Sequence, residues 1–329
     1  MDASLEGRIS RADLGGAGLL VVVDGIVLRD RTYGDYEPDT VVPIASASKW
    51  LTAATMMTLV DEGRVSLDDT VARWLPTFTG TTGGATIRQL LSHTSGIAPA
   101  SCIWDTTTTL AACVESVARQ RSAPEPGTKF VYGNTSYSVA GRIIELASGQ
   151  SFEKAFESRI AGPVGMSDTR FDGGPRAPTA NPVPAASAES TLVDYGRFVQ
   201  MLAADGVIDG RRVLSKESVR AMEADAVRGI DTSGDDAVHT TGIGTYGLGV
   251  WRDVTGADDT SMISSGNGAY GFYPWVDRAR NGYGVLLVFD QRGSDRAVPE
   301  SQRQVHEVWA AIDATRGGYS GPPTSIHGR

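Results

Sequence analysis

The chain has few of the residues that most often announce a chemistry. Only four histidines occur, His93, His239, His306 and His327, and they form no clustered ligand set. A zinc hydrolase needs such a set, so metal-assisted hydrolysis is disfavoured and no metal or other cofactor is expected. No Gly-x-Ser-x-Gly elbow is present, which argues against a Ser-His-Asp hydrolase of the α/β type. Positive charge is short as well: the formal net charge is −9, the wrong sign for a nucleic-acid surface. Long apolar runs are missing, since Leu19 to Leu28 is broken by Asp24, so no membrane span is expected. No internal repeat and no secretory signal stand out, and the N-terminus is polar.

Cysteine and lysine are scarce in a more informative way. The two cysteines, Cys102 and Cys113, lie in one Thr-rich stretch without His or Asp company, a poor metal site. A disulfide between them is expected, with two inert thiols as the alternative. A disulfide favours an extracytoplasmic home with any signal removed, and a cytoplasmic one stays open. Among 30 Lys+Arg, the only lysines are Lys49, Lys129, Lys154 and Lys216. Arginine cannot give up its proton near neutral pH and lysine can, so the place of each lysine carries information.

Lys49 stands in the stretch around which the chain is organised, Val41 to Gly63. A short apolar run ends at Ala45, and Ser46 stands where a helix would begin. From Trp50 to Val60 the apolar residues nearly encircle that helix, which marks a buried element. Lys49 follows Ser46 by three residues, so hydroxyl and amine share one helical face. Apolar flanks would bury the amine, lower its pKa and make it usable as a base for a serine nucleophile. Ser-x-x-Lys alone is weak: Ser151-Phe152-Glu153-Lys154 also fits, but its wet flanks read as an ordinary helix cap.

A strand, an Asp24-Gly25 turn and a second strand are predicted over Gly16 to Tyr33. Helical patterns follow at Thr86 to Leu91, Thr109 to Arg119, Tyr137 to Ala147, Phe152 to Ile160, Ser190 to Ala203 and Ser215 to Ala224. The longest loop between them runs from Asp172 to Ala188. Strand patterns return at Tyr246 to Val250, Ser261 to Ser265, Gly271 to Val276 and Tyr283 to Phe289, before a helix from Val298 to Ala314. The fold class is therefore α/β (α+β): an antiparallel sheet built from both termini and flanked by helices, with an inserted helical domain. The sheet domain is expected over 1–62 and 240–329, the helical domain over 63–239, the active site between them, and a disordered tail over 316–329.

A serine–lysine hydrolase also needs a second proton carrier, oxyanion donors and a substrate-orienting amide. Phe130-Val131-Tyr132-Gly133-Asn134 offers a phenol that a neighbouring ammonium would help ionise, and an amide, although alone it reads as a turn before a helix.

With these motifs in order, the chain resembles the class C β-lactamase-like serine hydrolases, which include penicillin-binding D-alanyl-D-alanine peptidases and family VIII carboxylesterases. The resemblance covers most of the chain. It rests on Asp24-Gly25 with Tyr33-Gly34, Ser46-Ala47-Ser48-Lys49, Ile87 to Ile97 through Ser92-His93-Thr94-Ser95-Gly96, Pro126 to Asn134, Tyr246-Gly247-Leu248-Gly249, and Gly268-Ala269-Tyr270-Gly271 with Trp275-Val276-Asp277. It implies that Ser46 is the acylated nucleophile, Lys49 its proton partner, Tyr132 the general base and acid, and Asn134 a substrate-orienting amide. It implies an oxyanion hole from the backbone N–H groups of Ser46 and Ala269, and a structural role for His93.

One departure matters. Relatives carry Lys or His two residues before the glycine that is here Gly268, and this chain has Gly266 there, then Asn267. His239 is out of order to replace it. Gly266, Asn267, Gly268 and Ala269 are thus expected to line the substrate site without the cation that suits carboxylates, leaving room for a bulkier group. Ser264, Ser265 or Arg252 could supply the missing contact instead. The expected activity is a carboxylesterase for small neutral esters acting through an acyl-enzyme on Ser46. A β-lactamase, a D-alanyl-D-alanine peptidase or D-amino-acid amidase, and a catalytically silent penicillin-binding-like sensor remain as alternatives. The expected partner is a small ester or amide, with no nucleic acid, no membrane span and the oligomeric state open.

Overall fold

The computed structural model describes residues 2–120, 124–171 and 178–316. The expected tail lies almost wholly outside them, as do 172–177 of the predicted long loop.

Strands β1 (Gly16–Val23) and β2 (Ile26–Gly34) form the predicted hairpin, with Asp24 and Gly25 both at positive φ in its turn. Four late strands complete the sheet: β3 (Trp251–Thr255), β4 (Ser261–Ser265), β5 (Tyr273–Asp277) and β6 (Gly282–Val288). The order is β2-β1-β6-β5-β4-β3, antiparallel at every pairing, and Ala17 to Val23 pair with Val288 to Gly282. The two ends of the chain therefore make one sheet, as the pattern of strands required.

One face of the sheet is covered by the helices Asp2–Ala12 and Ser294–Thr315, around Leu5, Leu19, Trp275, Val305 and Trp309. The other face carries the larger core, into which the Ser48–Asp61 helix is sunk. Every residue of that helix from Ser48 to Leu59 is buried, so its polar groups need partners inside. Most have them: Thr52 Oγ1 donates to the Pro184 carbonyl at 2.6 Å and Thr55 Oγ1 to that of Leu51 at 2.9 Å, while Trp50 Nε1 finds none among the described residues.

Several predicted elements differ in detail. Tyr246 to Val250 is not a strand; the strand begins at Trp251. Gly249 adopts φ +80°, and a Cβ there would stand 2.7 Å from the Lys49 carbonyl, so this segment folds against the Ser48–Asp61 helix instead of running extended. The Phe152–Phe156 helix widens into a π-turn over Glu157–Ala161. The helices Asp2–Ala12 and Asp236–Thr241 were not expected; the first is mostly polar, and the second is too short to show a period. No helix among the described residues is long and apolar enough to cross a membrane.

Candidate active site

Ser46 lies in a short 3-10 turn, Ala45–Ala47, immediately ahead of the buried helix. Val42–Pro43 pair with Glu189–Ser190, and the chain then bends sharply, with Ala45 at φ +46°. A side-chain-bearing residue in that region costs of order 1 kcal/mol, so neighbours must hold the bend. They do: the Tyr195 hydroxyl donates to the Ala47 carbonyl at 2.8 Å, and Ser48 Oγ accepts the Ala188 N–H at 3.0 Å. Ser46 itself is half-buried at the foot of a cleft of about 490 Å³.

Lys49 is wholly buried. Its Nζ stands 3.0 Å from Ser46 Oγ, 3.0 Å from Asn134 Oδ1 and 3.2 Å from the Ala185 carbonyl. No carboxylate pairs with it among the described residues. Burial without a counter-charge pushes its pKa down to about 7. The rings of Tyr132 and Tyr137, 4.6 and 5.7 Å from Nζ to centroid, give the charged form partial support. A neutral amine in this place keeps two N–H donors for Asn134 and Ala185 and turns its lone pair on the Ser46 hydroxyl.

Tyr132 is placed by its backbone and by its ring. Its N–H donates to Asp235 Oδ2 at 2.8 Å, and its ring stacks on Trp251 at 5.3 Å between centroids. Burial works against the expected ionisation of this phenol by an ammonium. Burial drives its pKa well above the ordinary tyrosine value, the Asp235 charge adds to the rise, and hydrogen bonding with Ser46 offsets only part of it. In the resting protein Tyr132 holds its proton, and Lys49 is the group able to accept one.

His93 supports that arrangement from behind, as expected for a structural residue. Its backbone sits at φ +62°, its carbonyl accepts the Val131 N–H at 2.9 Å, and Nδ1 accepts the Gly133 N–H at 3.3 Å. Burial, with Lys49 nearby, lowers its pKa well below normal and keeps the imidazole neutral. His239 is exposed on the Asp236–Thr241 helix. Ser151 caps its helix through the Lys154 N–H, so the second Ser-x-x-Lys is the ordinary cap it resembled.

The turn after β4 meets Ser46 from the far side. A Cβ on Gly268 would stand 2.3 Å from the Ile44 carbonyl, so only glycine permits this approach. Ala269 thereby lines the cleft beside Ser46. Among the described residues the N–H groups of Ser46 and Ala269 make no hydrogen bond, so both donors are free. Asn267 also lines the cleft, 5% exposed.

Gly266 does not. A Cβ there would meet Trp50 Cε3 at 3.0 Å, Pro274 Cγ at 3.4 Å and the Tyr195 hydroxyl at 3.6 Å. The expected room for a bulkier substrate group is absent, because Trp50 fills it. The proposed substitutes for the missing cation are committed elsewhere. Arg252 is buried, bonded to the Glu223 carbonyl and paired with Asp225 and Asp259, while Ser264 Oγ meets Ser261 and Ser265 Oγ meets Asp253.

Asp235, Trp251 and Asp253 escaped the sequence reading. Asp235 caps the Asp236–Thr241 helix through the Ala237 N–H, and only that capping pattern could have pointed to it. Among the described residues no group of three or more His, Cys, Asp or Glu could hold a metal. Cys102 and Cys113 are joined in a disulfide, with Cα atoms 5.5 Å apart.

Residues 1–308 match the family model described as Beta-lactamase. The chain is 34% identical over 257 residues to penicillin-binding protein 4 of Amycolatopsis lactamdurans, covering 66% of this chain and 67% of that protein. It is 31% identical over 260 residues to protein Rv1367c of Mycobacterium tuberculosis, covering 63% of this chain and 65% of that protein, a little under two thirds of the relative's length. A solved β-lactamase-like protein from Bacteroides dorei superposes with a TM-score of 0.84 at 33% identity, over 93% of this chain and 97% of that one. The fold is shared with the hydrolase EstCE1, at a TM-score of 0.74 and 20% identity over 93% and 97% of the two chains.

Proposed function

From the chain's membership of the β-lactamase family we propose that it is a serine hydrolase acting through an acyl-enzyme on Ser46, with small neutral esters as substrates. The observation that carries the reading is the buried Lys49 amine 3.0 Å from Ser46 Oγ, its pKa brought to about 7.

The ester carbonyl enters the cleft with its oxygen toward the N–H groups of Ser46 and Ala269. Neutral Lys49 takes the proton from Ser46 Oγ as the oxygen attacks the carbonyl carbon. Charge moves onto the carbonyl oxygen, where two fixed N–H donors stabilise it more than they stabilise the ground state. Tyr132, protonated at rest, donates to the departing alkoxide and recovers a proton from the Lys49 ammonium. Asn134 holds Lys49 through Oδ1 and keeps its N–H₂ for the acyl group. Water then attacks the acyl-enzyme by the same steps reversed, releasing the acid and restoring Ser46.

The preference for neutral esters is supported by what surrounds the cleft. No cation stands at position 266, and the ionic groups lining the cleft are Lys129, Asp235 and Asp236, whose sum is negative. The cation in that lining, Lys129, is exposed and is outnumbered by the two carboxylates. The likeness to a penicillin-binding protein favours a second reading, turnover of β-lactams or D-amino-acid amides. The Cys102–Cys113 bridge supports an oxidising, extracytoplasmic home.

The test is a fluorophosphonate label followed by intact-mass and peptide analysis, with p-nitrophenyl butyrate hydrolysis measured on the same preparation. One adduct on Ser46 and turnover that both vanish in Ser46→Ala are expected. Labelling that survives in Ser46→Ala, or Ser46 labelled without any turnover, overturns the reading, the latter in favour of a binding protein.

A further inference from the structure

The turn that carries Ala269 is braced from the far end of the chain. Gly268-Ala269-Tyr270-Gly271 closes with the Gly271 N–H donating to the Gly268 carbonyl at 2.8 Å. Ala269 takes the second position, half-buried, lining the cleft beside Ser46, with an N–H that has no partner among the described residues. A donor in that place is only as well aimed as its turn is fixed. The last two carbonyls of the turn are both held from outside it. That of Tyr270 accepts the Asp290 N–H at 3.0 Å, and that of Gly271 accepts the Ser301 hydroxyl at 2.6 Å.

Ser301 spends its one proton on Gly271, so its direction is set by whatever donates to its oxygen. That donor is Arg8 of the Asp2–Ala12 helix, 293 positions away in the chain. Arg8 Nη1 donates to Ser301 Oγ at 2.8 Å and to Gln304 Oε1 at 2.9 Å. Its Nη2 donates to Asp290 Oδ2 at 3.1 Å and to the Ala297 carbonyl at 3.2 Å. Gly271 sits at φ +84°, and a Cβ there would fall 2.8 Å from Ser301 Oγ and 2.9 Å from Arg8 Nη2. Hydroxyl and guanidinium are therefore packed directly against the turn, and glycine is what admits them.

Stability alone does not account for this arrangement. Arg8, Asp290 and Ser301 are wholly buried, and a buried ion pair gains little over apolar residues of the same volume. The surrounding face of the sheet is apolar, with Leu5, Leu19, Val305 and Trp309, and an apolar side chain at position 8 would continue it. A guanidinium differs in fixing several partners at set angles. We propose that Arg8, acting through Ser301 and Asp290, is a positioning residue that holds the 268–271 turn where the Ala269 N–H meets the developing oxyanion. The N-terminal helix, remote in sequence from every motif of the site, thereby sets the geometry of the oxyanion hole.

The oxyanion role of Ala269 rests on the esterase reading; the brace itself does not. The test compares p-nitrophenyl butyrate with its thiono analogue, in which sulfur replaces the carbonyl oxygen. Sulfur is a weak acceptor, so the thiono ester gains little from a well-aimed N–H. Ser301→Ala removes the bond to Gly271, and Arg8→Lys keeps the charge for Asp290 without the fork that also reaches Ser301. In variants shown by their Tm to be folded, kcat/KM for the oxygen ester should fall about 10- to 100-fold. The thiono ester should lose less than about threefold, since it makes little use of the donor. The acid limb should keep its midpoint near 7, because Lys49 is untouched. An equal loss on both esters or a displaced acid limb marks general loosening and overturns the proposal, as does an unchanged oxygen-ester rate. Ser301→Ala deletes one atom and decides alone should Arg8→Lys not fold. If the wild type hydrolyses neither ester, the esterase reading fails, and amide hydrogen exchange decides the brace. The Gly268 and Gly271 amides should then exchange about fivefold faster in Ser301→Ala, the worth of one neutral hydrogen bond, and unchanged exchange overturns it.

Discussion

The indole of Trp50 stands where a side chain at Gly266 would have to go: a Cβ there falls 3.0 Å from Trp50 Cε3. The loss of a cation at this position is therefore matched by a core residue, and is not an open vacancy in the cleft. Gly266→Lys should not restore carboxylate recognition. It should overpack the core and destabilise by roughly 1–3 kcal/mol, read as a lowered Tm. A charge-assisted hydrogen bond to a carboxylate is worth roughly 1.5–3 kcal/mol, so anionic substrates should run about 10- to 100-fold behind their turnover by relatives that keep the cation, while neutral esters lose nothing. kcat/KM for p-nitrophenyl butyrate should thus exceed that for nitrocefin on one preparation. Nitrocefin as the better substrate would replace the esterase reading by the β-lactamase one.

Lys49 should govern the acid limb of the rate profile. Acylation of Ser46 needs the neutral amine, so its rate should rise as pH passes about 7 and level off above. Lys49→Arg should be nearly as inactive as Lys49→Ala, because arginine keeps the charge and loses the basicity. Stability carries the opposite sign of cost. The unfolded chain binds the lysine proton more tightly than the folded one, so this group's contribution rises with pH between about 7 and its ordinary value of 10.5. Lys49→Met should accordingly melt higher than the wild type at pH 6, by differential scanning calorimetry.

Tyr132 and Asp235 should separate chemistry from positioning. Tyr132→Phe removes the proton carrier and should lower kcat by roughly 100-fold or more. Asp235→Ala removes the carboxylate that holds the Tyr132 N–H at 2.8 Å and should lower kcat by roughly ten- to a hundredfold with the phenol still present. An unchanged kcat in Asp235→Ala would show that the Tyr132 stack on Trp251 suffices by itself.

The disulfide closes a loop of 11 residues' separation between the Ser101–Trp104 turn and the Leu110–Ala118 helix. In the chain-entropy model that constraint is worth roughly 2–3 kcal/mol. Thiol titration of unfolded, unreduced protein should find no free thiol. Cys102→Ser with Cys113→Ser should lower the denaturant midpoint while leaving the m-value nearly unchanged.

Asp253 makes a further stability prediction. Its carboxyl is raised in the folded protein, so the folded state binds the proton more tightly and stability falls as pH climbs from the ordinary aspartate range toward about 7. Asp253→Asn should therefore narrow the loss of Tm between pH 5 and pH 8. An identical loss in the two proteins would show that this carboxyl is already ionised at pH 5.

What the sequence by itself determined is whatever local pattern controls. The Asp24-Gly25 hairpin, the buried character of the Ser48–Asp61 helix, the caps at Thr86, Thr109 and Ser215, and the Ser46–Lys49 spacing all follow from residues within a few positions of one another. The order of the motifs carried the family, and with it the pairing of the first strands with the last. Tertiary structure alone decided the electrostatics and the shape of the cleft. The Lys49 pKa depends on which groups exclude water from it, and Tyr132 keeps its proton because burial outweighs its bond to Ser46. Gly266 is closed by Trp50, 216 residues away in the chain, and Asp253 finds Ser265 and Tyr273 only because β3, β4 and β5 lie side by side. Desolvation and packing are sums over neighbours in space, and a chain read in order does not contain those sums until it is folded.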